Sequence, residues 1–409
     1  MRIFDTNVQE IKYKTLKEVI RSAYEGNLQS AALDIPKKLA PGPKPELRCC
    51  IYKERAILGE RVKLAMGGDR DNPNVVEVIR EACDECPVSG ILVTDACRGC
   101  LFHRCADECP KGAITIVNHR AVIDKEKSYV LDAIDILKKS DGNKNYKVYA
   151  IIAPSIVSQF KYAKIEQVVT GIHELGFHQV VEAALGADIT LYHEANEWKE
   201  KGLMTTSCCP SFVKYIEKYF PDMVNLISHS VSPMVETAKL IKKVDSTAKT
   251  VFIGPCVSKK GEYKLDKAKD WIDCVISFEE LQAFLDARDI NVTVLGETAL
   301  DNASFYGRIF AKSGGIAQGM ADVAKAMGIE GVRPVKMDGL EQCKIGLTKQ
   351  KFGRGDGNFY EGMACVGGCL NGPLCLTHGP KNVQDVDRYG EEAKEKDIFN
   401  SVKLYELNK

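Results

Sequence analysis

Net charge is the first thing this sequence lacks. Over 409 residues, 56 lysines and arginines are balanced by 56 aspartates and glutamates. A chain so balanced has no electrostatic footprint for nucleic acid or for an anionic membrane surface, and neither is expected as a partner. Long apolar runs are missing too. No stretch approaches the roughly 20 residues of a spanning helix, and the opening "MRIFDTNVQEIKYKTLKEVI" holds no signal-peptide core. The expected compartment is the cytoplasm. Histidine is scarce, seven in all, with no pair at metal-binding spacing. Cysteine is not scarce: there are 16. In a reducing compartment that number points to metal or redox chemistry rather than disulfides.

The composition changes along the chain. Residues 1–48 read as helices followed by a proline-rich linker, "APGPKPELR"; residues 49–125 carry eight cysteines; residues 126–146 read as a helical connector ending in the loop "SDGNKN". From 147 to 409, short apolar runs alternate with amphipathic segments. "KVYAIIAPS", "QVVEAAL", "KGLMTTSCC", "KTVFIGPC" and "IDCVIS" read as buried strands, and "KIEQVVTGIHELG", "CPSFVKYIEKYF" and "SPMVETAKLIKKV" as helices. That alternation predicts parallel α/β units, whose ligands gather at the carboxyl ends of strands.

The N-terminal cysteines begin with Cys97, Cys100, Cys105 and Cys109 in "CRGCLFHRCADECPKGAI". This is the C-x2-C-x2-C-x3-CP run of bacterial ferredoxins with two residues inserted before the third cysteine. Its spacing suits a 4Fe-4S cluster better than a zinc knuckle, which uses two separated pairs. No second run follows, so Cys109 lacks its usual partner set. Upstream lie Cys83 and Cys86 of "CDECP" and Cys49 and Cys50 of "RCC". Eight cysteines allow two clusters, but the sequence does not pair the ligands.

Three further motifs fall in the α/β region. "TTSCCPSF" sets Cys208 beside Cys209 at a strand end, with Pro210 suited to the first position of the next helix. Neighbours at a strand end point to opposite sides, so one thiol can bind a cluster while the other faces a different cavity. The helix N-terminus is expected to favour thiolate. "FIGPCVSKKGE" places Cys256 at a strand end with Lys259 three residues on, and "EGMACVGGCLNG" spaces Cys365 and Cys369 around Gly367 and Gly368. The glycines are expected to let backbone approach a bulky ligand.

Together, in this order over residues 147–380, the three motifs resemble the FeFe hydrogenase signature TSCCPxW, MPCxxKxxE and ExMACxxGCxxG. The resemblance implies two lobes of parallel sheet flanked by helices around an active-site cluster, with a small ferredoxin-like N-terminal domain. It implies that Cys209, Cys256, Cys365 and Cys369 hold a 4Fe-4S cubane, and that Cys369 bridges to a di-iron unit carrying CO, cyanide and an azadithiolate. Cys208 would pass protons to that bridge and Lys259 would bond a cyanide. Pro255 and Ser155 would pack around the ligands with Met363 near the iron, and Phe310 and Ser313 of "FAKSGG" match the same pattern. Glu194 and Glu197 of "YHEANEW", with Ser228 of "LISHSVSP", resemble the family's proton relay; His229 beside it reads as structural.

The chain also departs from the signature. Gly254 stands for the usual methionine, Val366 for proline, Met234 for glutamine and Phe212 for tryptophan. Such changes tune a centre without removing its ligands, and they resemble a divergent, sensory-type branch. The leading expectation is reversible H2 chemistry with electrons relayed by one or two N-terminal 4Fe-4S clusters. A slow H2 sensor and a cubane-only assembly factor are the competing readings. The resemblance implies a ferredoxin or similar carrier, cofactor-maturation enzymes and, for a sensor, a signalling partner. Cys274, Cys343 and Cys375 match no motif and read as buried structural thiols.

Overall fold

A computed structural model describes residues 4–46, 50–72, 74–77, 79, 114–117, 120–123 and 125–403. Cys49, Cys83, Cys86, Cys97, Cys100, Cys105 and Cys109 lie outside the described residues. The chain divides into two compact units: Arg2–Asp135 with Glu279–Ile290, and Ile136–Phe278 with Asn291–Lys409.

The first unit is built on helices Asn7–Glu25 and Ile51–Ala65, with a short antiparallel pair, Val76–Glu77 against Lys125–Glu126, and a hairpin, Ile114–Val117 with Arg120–Ile123. Thr6 caps the first helix by accepting from the Gln9 N–H, and Gly26 closes it in the left-handed region. Lys127 is buried, but its ammonium reaches the carbonyls of Asp69 and Asn72 and the Glu77 carboxylate. This satisfies the charge that burial would otherwise leave exposed to a low dielectric.

The second unit contains two parallel sheets. In chain order its main elements are β1 (Val148–Ile152), α1 (Ile165–Glu174), β2 (Gln179–Glu182), α2 (Ala183–Lys201), β3 (Met204–Thr205), α3 (Pro210–Tyr219), α4 (Pro233–Val244), β4 (Lys249–Gly254), α5 (Val257–Glu262), β5 (Cys274–Ser277), α6 (Phe305–Ile309), α7 (Gly315–Ala326), β6 (Pro334–Asp338), α8 (Gly339–Lys351), β7 (Phe359–Met363) and α9 (Lys381–Glu391). One sheet has the order β2-β1-β4-β5 and the other β6-β7-β3, every pairing parallel. β4 is buried beyond its first residue and β7 throughout, as expected of strands covered on both faces.

All five strands read from the apolar runs are present. "QVVEAAL" is strand only to Glu182 and continues as helix α2. The second sheet takes its central strand from near the C-terminus. Phe212 of α3 packs so closely on β7 that a Cβ at Gly362 would stand 2.3 Å from its ring, so only glycine fits there. Four strands, two from each sheet, end where the motif residues begin: β1 before Ser155, β4 before Pro255 and Cys256, β3 before Cys208 and Cys209, and β7 before Cys365.

Candidate metal centre

Cys209 and Cys256 are the residues capping α3 and α5, with Pro210 at the first position of α3. Cys365 and Cys369 lie in the loop after β7. That loop is pinned by the Cys369 N–H donating to Ala311 O at 2.9 Å and by a bridge between Lys312 and Gly368. The four thiols face one another electrostatically. Burial pushes the Cys365 thiol well up, and Cys256, Cys209 and Cys369 push it further. Cys369 is pushed up to about 12 by burial, then by Cys256 and Cys209, with Lys259 opposing. Cys256 is raised by burial and by Cys209.

Four soft sulfur donors pushed up in this way need a bound cation before they ionise together. Among the described residues, no three cysteine, histidine or acidic groups close on a single ion. An all-sulfur donor set of this kind is the chemistry of iron–sulfur centres.

The surroundings test the fit further. Ser155 Oγ, Ser313 Oγ and one Glu262 carboxylate oxygen are buried without any hydrogen-bond partner. Buried polar atoms are almost always satisfied, so each such orphan marks room for a polar partner. The Lys259 ammonium donates to Cys208 O at 3.1 Å and to Glu262 at 2.5 Å. Burial works against its charge, but Glu262 outweighs it and raises the group. Cys208, Phe310 and Met363 lie in one apolar cluster with Met204 and Leu191. The Pro255 carbonyl accepts from Leu374 N–H and packs so closely that a Cβ at Gly372 would stand 2.5 Å from it. The thiols among these residues fit an iron–sulfur cluster.

Helix α2 carries the relay candidates. Glu194 is fully buried and neither of its oxygens has a hydrogen-bond partner. Burial drives its carboxyl up to about 8, against the nearby Ser207 backbone and Ser228 hydroxyl. One turn on, Glu197 also loses solvation, but Lys201, the His229 backbone and Ser228 overcome that and hold it below the usual carboxylate range. Ser228 Oγ donates to Glu197 Oε2 at 2.8 Å, and its own N–H is fixed to Thr205 O at the end of β3. The structure therefore joins Glu197 to Ser228 and places Glu194 beside Cys208, whose thiol feels its charge. The step from Ser228 to Glu194 is not closed as a hydrogen bond.

One expectation is corrected. Cys208 is not activated by its helix: burial, then Glu194 and Cys209, push its thiol well above the ordinary value, and Lys259 only partly offsets them. The helix N-terminus does not dominate at that thiol. Gly367 and Gly368 both adopt positive φ, and a Cβ on Gly368 would meet Ala311 O and Ser313 N at 2.7 Å, so a second backbone segment packs against it. Cys50 is exposed and caps its helix, accepting from Lys53 N–H.

Sequence reading missed three residues. Glu361 is buried and accepts from Gly314 N–H at 2.6 Å and Ala317 N–H at 2.7 Å, which fixes the loop holding Ser313; burial raises its carboxyl to about 7. Glu262 was visible as the acid three residues after Lys259. Cys375, buried as expected with Cys274 and Cys343, points its thiol at the Leu370 and Cys369 carbonyls. Nothing in its spacing marks that role. At Gly254 the Phe252 ring fills the side-chain space, 2.5 Å from where a Cβ would be.

Fold and site define an α/β protein of two parallel sheets with a thiol-lined candidate site where four of its strands end. The chain belongs to the family of iron-only hydrogenase large subunits, whose C-terminal domain profile matches residues 146–373. It is 29% identical over 271 residues to iron hydrogenase 1 of Clostridium pasteurianum, covering 54% of this chain and 47% of that protein. It is 24% identical over 342 residues to the NADP-reducing hydrogenase subunit HndD of Solidesulfovibrio fructosivorans, covering 69% and 56%. The cytosolic Fe-S cluster assembly factor NAR1 of Yarrowia lipolytica is 32% identical over 154 residues, 32% of this chain and 30% of that one. The chain thus spans about half the length of the hydrogenases it matches. A structure of a variant of FeFe-hydrogenase HydA1 from Chlamydomonas reinhardtii superposes with a TM-score of 0.56 at 20% identity, covering 68% of this chain and 94% of that one. At that identity the match establishes the fold.

Proposed function

We propose that this protein catalyses reversible H2 formation from two protons and two electrons. Cys209, Cys256, Cys365 and Cys369 would hold the cubane, and Cys369 would also reach the di-iron unit. Ser155, Ser313 and Lys259 would face that unit's diatomic ligands, and Pro255, Met363 and Phe310 would wall it from water. When bound, such a group supplies an electron store beside a metal that can acidify H2.

The chain's own part is the proton. Cys208 keeps its proton at neutral pH, held more firmly by burial, and Glu194 can take or give one near pH 8. The two are electrostatically coupled side by side, which suits a donor–acceptor pair. Ser228 and Glu197 continue the path outward. The observation that carries this reading is the buried, unpartnered Glu194 next to Cys208: an assembly protein holding only a cubane gains nothing from so costly a group.

Electrons would come through one or two 4Fe-4S clusters on the N-terminal cysteines, from a ferredoxin or similar carrier, with maturation enzymes installing the di-iron unit. The proposed compartment is the cytoplasm; among the described residues no helix is long and apolar enough to cross a membrane. A second reading, slow H2 sensing with a signalling partner, is favoured by Gly254 and Met234. The NAR1 likeness favours an assembly role over a shorter span. The test is H2 evolution from a reduced viologen after reconstitution with iron, sulfide and a synthetic di-iron cofactor. Turnover lost on Cys208→Ala supports catalysis; a reconstituted cubane without turnover supports the alternatives.

A further inference from the structure

Glu197 is only 13% exposed at its side chain, so the outward end of the path needs a group that reaches water. His229 is 81% exposed at its side chain, and its Nδ1 lies 3.1 Å from Glu197 Oε1. Its backbone N–H donates to both Glu197 oxygens, at 3.0 and 3.1 Å. The charged groups facing it from α2 are Glu197 and Lys201, whose ammonium is 2.7 Å from the same Oε1. On its own segment the neighbours are the neutral Ser228 and Ser230, with Ser230 N–H donating to Ser228 Oγ.

From this arrangement we infer that His229 takes protons from solvent and passes them to Glu197. The inference rests on the hydrogenase reading, since only a proton-consuming site needs such an intake. The alternatives at this position are poor. An ammonium gives up its proton only near about pH 10, so Lys201 is a charge partner rather than a donor. Glu197 itself is held in its ionised form and captures protons slowly from dilute hydronium. Imidazole changes charge between about pH 5 and 8 and carries a donor or acceptor on each side of the ring. The step balances simply. With the exposed ring turned outward, Nδ1 of the Nε2–H tautomer takes a proton from solvent; the ring turns back, the Nδ1 proton moves to Glu197 Oε1, and the neutral Nε2–H ring is left as it began.

The test uses the full chain and needs no di-iron cofactor. Glu194, raised to about 8, is protonated by a jump from about pH 9.5 to about pH 7, and its carboxyl C=O band is followed by time-resolved infrared. The band is identified by its loss in Glu194→Gln. His229→Gln keeps the backbone N–H contacts and is expected to slow protonation about tenfold or more. Added imidazole should restore the wild-type rate. An unchanged rate in His229→Gln would overturn the inference. So would a slowed rate that imidazole does not rescue, because a merely structural histidine would behave that way. If H2 chemistry itself were absent, this infrared response would be unaffected, so the two failures remain distinguishable.

Discussion

Helix α2 treats a buried carboxylate in opposite ways at its start and in its middle. Glu182, which caps the helix, is buried with Arg308, whose Nε and terminal nitrogen donate to it at 2.8 and 3.2 Å. The Tyr389 hydroxyl and the Asn302 N–H at 2.6 Å complete the set. Arg308 spends its other donors on Leu300 O, Tyr389 O and Asp301. Twelve positions along, Glu194 is as deeply buried and both its oxygens are bare. A fully satisfied network rigidifies a core. An unsatisfied carboxyl weakens one, and persists where the fold is organised around chemistry. The first carboxylate is architecture and the second belongs to the candidate site.

The comparison can be broken at either end. The largest effect is expected from Arg308→Met, which strands Glu182 without its counter-charge and should cost about 3 to 5 kcal/mol of stability. Chemical denaturation checks it, and iron content per folded molecule should not change. Next, Glu194→Gln keeps the shape but cannot cycle a proton. On the proposed function, H2 evolution should fall about a hundredfold or more, while cluster content measured by electron paramagnetic resonance stays the same.

The same substitution has a smaller, opposite effect on stability. Because the folded Glu194 binds its proton up to about pH 8 and the unfolded one releases it near 4.5, native stability falls as pH rises across that window. Between pH 6 and 8 this amounts to about 2 kcal/mol. Glu194→Gln should remove that slope in thermal unfolding at a series of pH values, and a slope left intact would locate the titration elsewhere. Gly254→Ala, whose Cβ would meet the Phe252 ring, should destabilise by about 1 to 2 kcal/mol. Removing the ring in Phe252→Ala/Gly254→Ala should show non-additivity. The smallest change expected is Ser228→Ala, which loses the 2.8 Å bond to Glu197 and should slow turnover about tenfold at unchanged iron content.

Much of this was legible in the residues. The apolar runs mark the strands of the first sheet, because most of their residues are buried between covering layers. The four strand-end cysteines, Lys259 and the two glutamates were visible as motifs. What was hidden depended on distant pairing. β3 is two residues long and is held by β7, more than 150 residues later. The partners of Glu182 come from positions 302, 308 and 389, and Glu361 acts on the start of α7. The environment of a carboxylate is likewise invisible in sequence: Glu194 and Glu197 are the same residue three positions apart, and only the fold shows that one is raised to about 8 and the other lowered.

The central claim is that the thiol-lined site holds a di-iron unit that responds to H2. The most direct measurement is an infrared spectrum of the full chain loaded with a synthetic di-iron cofactor, recorded under argon and then under H2. The account predicts bound CO and cyanide bands that shift when H2 is admitted, and that shift more slowly in Glu194→Gln. A protein that takes up its iron–sulfur clusters but shows no such bands would contradict it.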